Sequence, residues 1–214
     1  MINIGELTAM DYGIMVFSTD LFNDYIKNKK WKAKKYLSWF NKNKEHFHEI
    51  IKDGIIFPIY NICNYEYEIF VKINEQNNES PKGFKEIYKY NGFYVEVGNT
   101  NKLCFSNFAY FENSIDSIKN NITEKSHMFE TGPDKPNGAF TIEKYNYALG
   151  LDIEKGKYSY NIIGLKRIEE KERKSKNHAF LFEFTKNENA INKNFEKDNE
   201  KYEYDIFKVE NNIK

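Results

Sequence analysis

Residues 153–160, Ile153-Glu154-Lys155-Gly156-Lys157-Tyr158-Ser159-Tyr160, carry the most specific fold signal in the sequence. An acidic residue, a glycine and then a tyrosine entering an apolar strand form the pattern of a tyrosine corner in Greek-key sandwiches. Gly156 permits the turn, and the Tyr158 hydroxyl is expected to tie the corner to the backbone. The motif predicts a β-sandwich and indicates no chemistry.

Outside this motif, short stretches rich in aromatic and β-branched residues alternate with turns. In residues 65–73 the apolar side chains occupy every second position, which places Glu66, Glu68 and Lys72 on the opposite face of a strand. Because the strands follow one another closely, we expect antiparallel pairing. The predicted strands are residues 12–18, 55–62, 65–73, 84–90, 93–97, 103–108, 140–147, 148–153, 158–168 and 178–185.

One long helix is predicted near the N-terminus, over residues 31–52, after a short helical turn at residues 20–26. Its apolar positions fall three and four residues apart, and Gly54 follows the last of them as a helix C-terminal glycine should. The predicted fold class is therefore α+β and mainly β: an antiparallel, Greek-key-like β-sandwich with one long N-terminal amphipathic helix.

The chain of 214 residues has the length of one domain, residues 1–214. Two segments depart from the strand pattern. Residues 112–138 predict an irregular excursion from the sheet, and residues 187–214 form a polar C-terminal segment with a last strand at residues 202–209.

Composition and charge exclude several classes of protein. The 32 basic and 32 acidic residues cancel, which argues against a dedicated nucleic-acid binder, and only Arg167 and Arg173 are arginine. Cys63 and Cys104 form no disulfide framework, and residues 1–10 do not have the pattern of a signal peptide. The apolar stretch at residues 54–62 is too short to span a membrane. The abundance of Lys, Asn and Ile reflects an A+T-rich genome, so we expect a cytoplasmic bacterial protein without a membrane partner.

The sequence shows no catalytic constellation. His46 and His48 are two residues apart on the predicted helix and so point to different faces, whereas a helical metal pair needs a spacing of three or four. Glu66 and Glu68 could bind a cation or act as acid and base, but a solvated strand face is the favoured interpretation. We therefore expect no enzyme activity, no catalytic residue, no metal site and no cofactor.

The strongest nucleic-acid candidate is the stretch Lys27–Lys44, which has eight lysines, no acid, and interleaved Trp31, Tyr36 and Trp39. An amphipathic helix whose rings pack on the sheet explains the same pattern and is favoured, because no arginine supports the patch. A nucleic-acid-binding accessory protein remains the alternative function. The residues of this alternative basic patch are Lys27, Lys29, Lys30, Trp31, Lys32, Lys34 and Lys35.

Residues 153–158, together with the aromatic-rich strand at residues 12–18 and the strand around residues 67–71, resemble small bacterial sandwich proteins of the competence-protein-J type. Those proteins are nuclease inhibitors similar in style to toxin-immunity proteins. The match covers about a third of the chain, and the long basic helix and residues 112–138 depart from the pattern. The resemblance implies an immunity-type sandwich that binds a protein, and it transfers no functional residue.

Our leading hypothesis is a cytoplasmic inhibitor of the immunity type that masks a partner toxin, expected to be a nuclease. A phage-encoded inhibitor of a bacterial defence complex is a variant of it. Acidic side chains would meet the basic substrate groove of such a partner. The predicted partner-binding residues lie in one loop and in the C-terminal segment: Glu169, Glu170, Glu172, Glu196, Asp198, Glu200, Glu203 and Asp205.

Overall fold

The computed structural model describes residues 1–32, 34–75, 77, 79–133, 140–190 and 202–212. Within this part of the chain, two five-stranded sheets pack face to face. The strands are β1 (Ile2–Thr8), β2 (Gly13–Phe17), β3 (Ile56–Tyr60), β4 (Glu66–Ile73), β5 (Phe84–Val97), β6 (Lys102–Asn107), β7 (Lys125–Pro133), β8 (Phe140–Asp152), β9 (Gly156–Arg167) and β10 (His178–Lys186). The helices are α1 (Thr19–Asn28), α2 (Tyr36–Lys42), α3 (Lys44–Lys52), α4 (Phe108–Asn113), α5 (Ile115–Lys119) and α6 (Ile206–Asn212), with a 3₁₀ turn at Lys174–Lys176.

The first sheet has the order β1-β4-β10-β9-β5, and the second has the order β3-β2-β6-β8-β7. β10 runs antiparallel to β9 but parallel to β4, with His178 opposite Tyr67. The prediction of a purely antiparallel sandwich is therefore wrong at this pair. A parallel neighbour is brought in by a long crossover, and the local pattern of a strand does not encode which distant strand it will meet.

The core lies between the two sheets and is rich in aromatic rings. Phe105 of the second sheet meets Phe182 of the first with their ring centroids 5.0 Å apart, and Phe57 meets Tyr160 at 5.7 Å. Such edge-to-face pairs contribute roughly 0.5–1.5 kcal/mol each beyond the area they bury. The alternation predicted for β4 is confirmed, since Tyr67, Ile69 and Val71 are buried in this core.

The tyrosine corner predicted from residues 153–160 is present. The Tyr158 hydroxyl donates a hydrogen bond of 2.8 Å to the carbonyl oxygen of Glu154, four residues earlier. Gly156 has a φ of +148°, which L side chains rarely adopt, so glycine is required at this turn. The corner fixes the point where the chain leaves β8 in one sheet and enters β9 in the other.

The single long helix predicted for residues 31–52 is wrong. Lys30, just after α1, has a φ of +51°, and the next helix begins only at Tyr36. Asn43 has φ −129° and ψ 62°, which breaks the remaining helix into α2 and α3. Phe40 and Phe47 then pack across the break with ring centroids 4.9 Å apart. Apolar spacing of three and four continues through Asn43, so periodicity alone could not reveal the break.

The irregular excursion predicted for residues 112–138 contains regular structure. Its beginning completes α4 and forms α5, and β7 occupies most of its second half. Residues 134–138 lie outside the described part of the chain. Polar side chains at exposed strand positions explain why β7 showed no alternating pattern, because neither face of this stretch is the sandwich core.

Other strand boundaries also differ from the prediction. The strands predicted at 84–90 and 93–97 are one strand, β5, with register shifts that accommodate Gly92 at a φ of +88°. The strands predicted at 140–147 and 148–153 are likewise one strand, β8. β1 forms an edge of the first sheet, and the pattern of residues 2–8 does not predict this strand.

The last strand predicted for residues 202–209 is wrong, because residues 206–212 form α6. Asp205 determines this outcome. Its Oδ1 accepts hydrogen bonds from the backbone N–H groups of Phe207 (3.0 Å) and Lys208 (3.3 Å), which is how a helix N-cap satisfies its first donors.

We predict that Tyr158→Phe lowers the free energy of unfolding by about 1 kcal/mol, because it removes one intramolecular hydrogen bond and leaves the Glu154 carbonyl unpaired. Urea unfolding followed by circular dichroism measures the change. Tyr12→Phe is the matched control, since Tyr12 is 64% exposed, and we expect it to change stability by less than about 0.5 kcal/mol. Equal losses in both variants would contradict a structural role for the corner.

Candidate functional site

The acidic loop predicted to bind a partner connects β9 to β10. Glu169 and Glu172 are exposed in this loop, and among the described residues neither has an ion pair. Glu170 is different, because its Oε1 lies 2.6 Å from Lys166 Nζ. Two of the three predicted loop acids are therefore available to a partner, while the third is already neutralised.

The basic residues of the same loop fold back onto the sheet. Arg173 Nη2 lies 3.1 Å from Glu66 Oε1, and Lys176 Nζ lies 2.9 Å from Glu66 Oε2 and 3.1 Å from Glu6 Oε1. The Glu66 side chain is only 5% exposed. Burial raises the pKa of Glu66, while its hydrogen bond with Lys176 opposes that rise. A buried carboxylate with two cations keeps the loop in place, because losing either cation would leave the charge uncompensated.

Glu68, two residues after Glu66 on the same face of β4, forms an ion pair with Arg167 and lies 3.8 Å from Lys171. The guanidinium of Arg167 also stacks 4.5 Å from the ring centroid of Phe84. The favoured interpretation of Glu66 and Glu68 as a solvated face is therefore wrong. The loop covers both side chains, and the sequence could not show that its cations would return to this strand.

Both arginines of the chain serve in this ion-pair network, and one of them extends it to the second sheet. Arg173 Nη1 lies 2.7 Å from Glu143 Oε1 of β8, and the Tyr145 hydroxyl also hydrogen-bonds to Glu143. The hydrogen bond from Arg173 holds the pKa of Glu143 below its usual value. The loop is thereby fastened to β8 as well as to β4.

β7 and the first half of β8 form a two-stranded ribbon, which we call the arm (Lys125–Pro133 with residues 140–147). β6 pairs with β8 only from Ala148 onwards, so within the sheet the arm pairs with itself alone. Three large apolar side chains of the arm are exposed: Met128 at 61%, Ile142 at 61% and Phe129 at 45%. Because Phe129 lies directly opposite Glu143, the Glu143–Arg173 pair connects this apolar ribbon to the acidic loop.

The C-terminal acids have a different placement. Asp205 is buried, caps α6 and accepts a hydrogen bond of 3.2 Å from Cys63 Sγ, so it is not available to a partner. Burial, strengthened by Asp205, raises the pKa of Cys63 to about 11. Glu203 is half-buried and accepts from the backbone N–H of Asp205. Glu196, Asp198 and Glu200 lie outside the described residues.

Loop and C-terminal segment nevertheless come together around Lys166. Glu170 of the loop and Glu210 of α6 both bind its Nζ, at 2.6 Å and 2.9 Å. A cavity of about 170 Å³ lies here, lined in part by Lys174, His178 and Phe207. Sequence reasoning missed this site, because His178 had no acidic or cysteine neighbour in sequence.

The alternative basic patch is exposed but partly neutralised. Lys29 Nζ lies 2.7 Å from Glu49 Oε1, and Lys27 Nζ lies 3.8 Å from Asp24 Oδ1. The remaining lysines of the patch are exposed and, among the described residues, carry no ion pair: Lys30, Lys32, Lys34 and Lys35. The patch is thus a short run of free cations on the segment between α1 and α2.

The aromatic residues that interleave with these lysines pack against one another. Trp31 and Trp39 lie with their ring centroids 3.9 Å apart, and Tyr36 is buried against Trp31 and Phe111. The rings serve packing, as the favoured interpretation expects, but they pack on one another and on Phe111 of α4 rather than on the sheet, and Trp31 precedes α2 instead of lying in a helix. A nucleic-acid base would have to displace one of these contacts in order to stack.

The described residues hold no group of three or more His, Cys, Asp or Glu arranged to bind a metal ion. Cys63 and Cys104 are both free. No helix in the described ranges is long and apolar enough to cross a bilayer.

Comparison with known proteins gives one finding. No family model matches the chain, and no curated protein matches it. Among solved structures, the chain is similar to ComJ from Bacillus subtilis, described as an inhibitor of the DNA degrading activity of NucA. The identity is 11%, the TM-score is 0.39, and the match covers 85% of this chain and 93% of that chain. ComJ is of the protein type that residues 153–158 resemble.

We predict that the chain loses stability as the pH falls below 6.5. Burial, followed by the charge of Lys166, lowers the pKa of His178, and the acids Glu210, Asp205 and Glu170 act in the opposite direction. Below pH 6.5 the unfolded chain therefore binds a proton that the folded chain does not, so unfolding becomes more favourable. The contribution of neutral His178 to the free energy of unfolding is complete above the pKa that His178 has in the unfolded chain. It decreases as the pH falls towards the lower pKa that His178 has in the folded chain.

Urea midpoints measured between about pH 5 and 7 test this dependence. His178→Phe should flatten the profile in this range, while His127→Phe, a change of an exposed histidine on the arm, is the matched control. A profile that stays equally steep in His178→Phe would contradict this origin of the pH dependence.

We also predict that random-sequence duplex DNA is not bound in the micromolar range at physiological salt. The rings of the basic patch are engaged in packing, and two of its lysines are already paired. Fluorescence anisotropy over a salt series measures this directly. Micromolar binding that falls steeply with salt, and that is lost when Lys30, Lys32, Lys34 and Lys35 are changed to Ala, would establish the alternative function instead.

Proposed function

We propose that this chain binds a partner protein and inhibits it by covering its active surface. The observation that carries the proposal is the arm, on which Met128, Phe129 and Ile142 are exposed on a paired β ribbon. Large apolar side chains exposed on both faces of one ribbon are uncommon in soluble proteins, and exposed apolar surface of this kind marks interaction sites. Met and aromatic residues are also enriched at protein–protein interfaces.

The arm alone supplies only part of the binding free energy. Fully burying one such side chain contributes about 1.5–3 kcal/mol. Because the three are already partly covered and lie on two faces, a partner on one face gains roughly 1–4 kcal/mol from them. A micromolar complex needs about 8 kcal/mol. Further contacts must come from the neighbouring surface, and the acidic loop is the element fastened to the arm by Arg173 and Glu143.

The loop indicates the charge of the partner. Glu169 and Glu172 are exposed without an ion pair among the described residues, so they are free to meet cations. A nuclease presents a basic groove to its substrate, and acids placed over that groove would occupy the positions of the phosphates. We therefore propose a nuclease toxin as the partner, as the sequence resemblance of residues 153–158 implies.

Affinity capture from native lysate tests the proposal. The expected result is one stoichiometric protein whose nuclease activity on DNA or RNA is suppressed when the purified chain is added. Capture of a partner without nuclease activity would reject the nuclease class. Recovery of chaperones and ribosomal proteins alone would reject the inhibitor function.

We predict that substitutions on the arm weaken this complex. One of two variants, either Met128→Asp with Ile142→Asp or Phe129→Asp alone, should lower the affinity at least tenfold, because it places a charge where an apolar contact is buried. Calorimetry with the captured partner measures the change. Because Phe129 and the other two residues lie on opposite faces of the ribbon, the larger loss identifies the face that the partner covers.

Tyr12→Asp is the matched control, since Tyr12 is also aromatic and exposed but lies before β2, away from the arm. It should leave the affinity unchanged. If all three proteins bind with the affinity of the wild type, the arm is not the interface.

A further inference from the structure

The cavity between the acidic loop and α6 has the features of a small binding site. Its volume of about 170 Å³ is roughly that of five or six water molecules and below the range for drug-sized ligands. Tyr65, from the segment before β4, and Phe207 of α6 contribute its aromatic walls. Any ligand held here is therefore a small one.

His178 is the polar group that this cavity leaves unsatisfied. It is only 5% exposed, and neither of its ring nitrogens has a hydrogen-bond partner among the described residues. The Tyr65 ring stacks on the imidazole with ring centroids 5.6 Å apart, so this contact covers the face of the ring and not its nitrogen atoms. A neutral imidazole offers one donor and one acceptor, and leaving both unused when the ring is buried destabilises the folded chain. A ligand that supplies a partner to either ring nitrogen reduces this cost.

The charges around the cavity define the ligand further. Lys166 and Lys174 bring two positive charges, and Glu170 and Glu210 bring two negative ones. Lys166 is already bound to both glutamates, whereas Lys174 has no ion pair among the described residues. The two glutamates would repel a phosphate dianion, and the two lysines would repel a divalent cation. A zwitterion finds a complement for each of its charges.

We propose that this cavity binds a free amino acid as its zwitterion. The carboxylate accepts from the His178 ring N–H on the side of Lys174, and the ammonium group lies towards Glu170 and Glu210. The apolar side chain of the ligand contacts Tyr65 and Phe207. Glu170 and Lys174 of this site belong to the acidic loop, but the assignment does not depend on a protein partner, so either proposal can fail without the other.

Nuclear magnetic resonance of the His178 ring in the full chain tests the proposal, with glycine, leucine and phenylalanine as probes. Acetate and methylammonium are the controls, because each carries only one of the two charges. The expected result is a saturable shift of the His178 ring signals with the amino acids at millimolar concentration and none with the controls. No shift with any amino acid, or an equal shift with acetate, overturns the proposal.

Two variants complete the test. Calorimetry measures the binding of phenylalanine. His178→Phe and Lys174→Gln should each weaken it at least tenfold. Lys174→Gln removes the charge and leaves the backbone of the 3₁₀ turn unchanged. His127→Phe, on the arm, should bind phenylalanine as the wild type does. Binding that is unchanged in both His178→Phe and Lys174→Gln would show that the amino acid binds elsewhere and overturn the assignment.

Discussion

The central position of β10 in the first sheet is the constraint on which the rest of the structure depends. β10 pairs in parallel with β4 and antiparallel with β9, so it joins strands that come from the two halves of the chain. Because His178 begins β10 opposite Tyr67, the preceding loop must lie beside the start of β4. That placement brings Arg173 and Lys176 to Glu66, and it brings α6 to the cavity beside His178.

The zero net charge of the chain combines ion pairs on the sheets and loops with many exposed charges that have no ion pair among the described residues. Glu66, Glu68 and Glu143 are held by the two arginines and their neighbouring lysines, so these acids offer nothing to a partner. The exposed charges that have no ion pair among the described residues include Glu169 and Glu172 on the loop and the lysines between α1 and α2. The acids lie next to an exposed apolar ribbon, and this combination is what distinguishes a docking surface from an ordinary solvated face.

Local signals in the sequence predicted local structure well. Three predicted features depend on residues close in sequence, and each is present: the tyrosine corner, the alternation in β4, and Gly54 as the glycine that follows the end of a helix, here α3. The break at Asn43, the parallel partner of β10 and the helix at the C-terminus depend on distant contacts or on a single cap, which periodicity does not encode. The candidate site shows the same division. The loop acids were found by composition, whereas the arm and His178 acquire meaning only when the fold surrounds them.

In the proposed complex, the arm and the acidic loop form one surface for the partner protein. Hydrogen exchange of the full chain, with and without the captured partner, tests it most directly. We expect slower exchange in β7, in residues 140–147 and in the loop from Ile168 to Asn177, with no change between α1 and α2. Protection confined to the lysine-rich segment at residues 27–35, or absent from the arm, would contradict it.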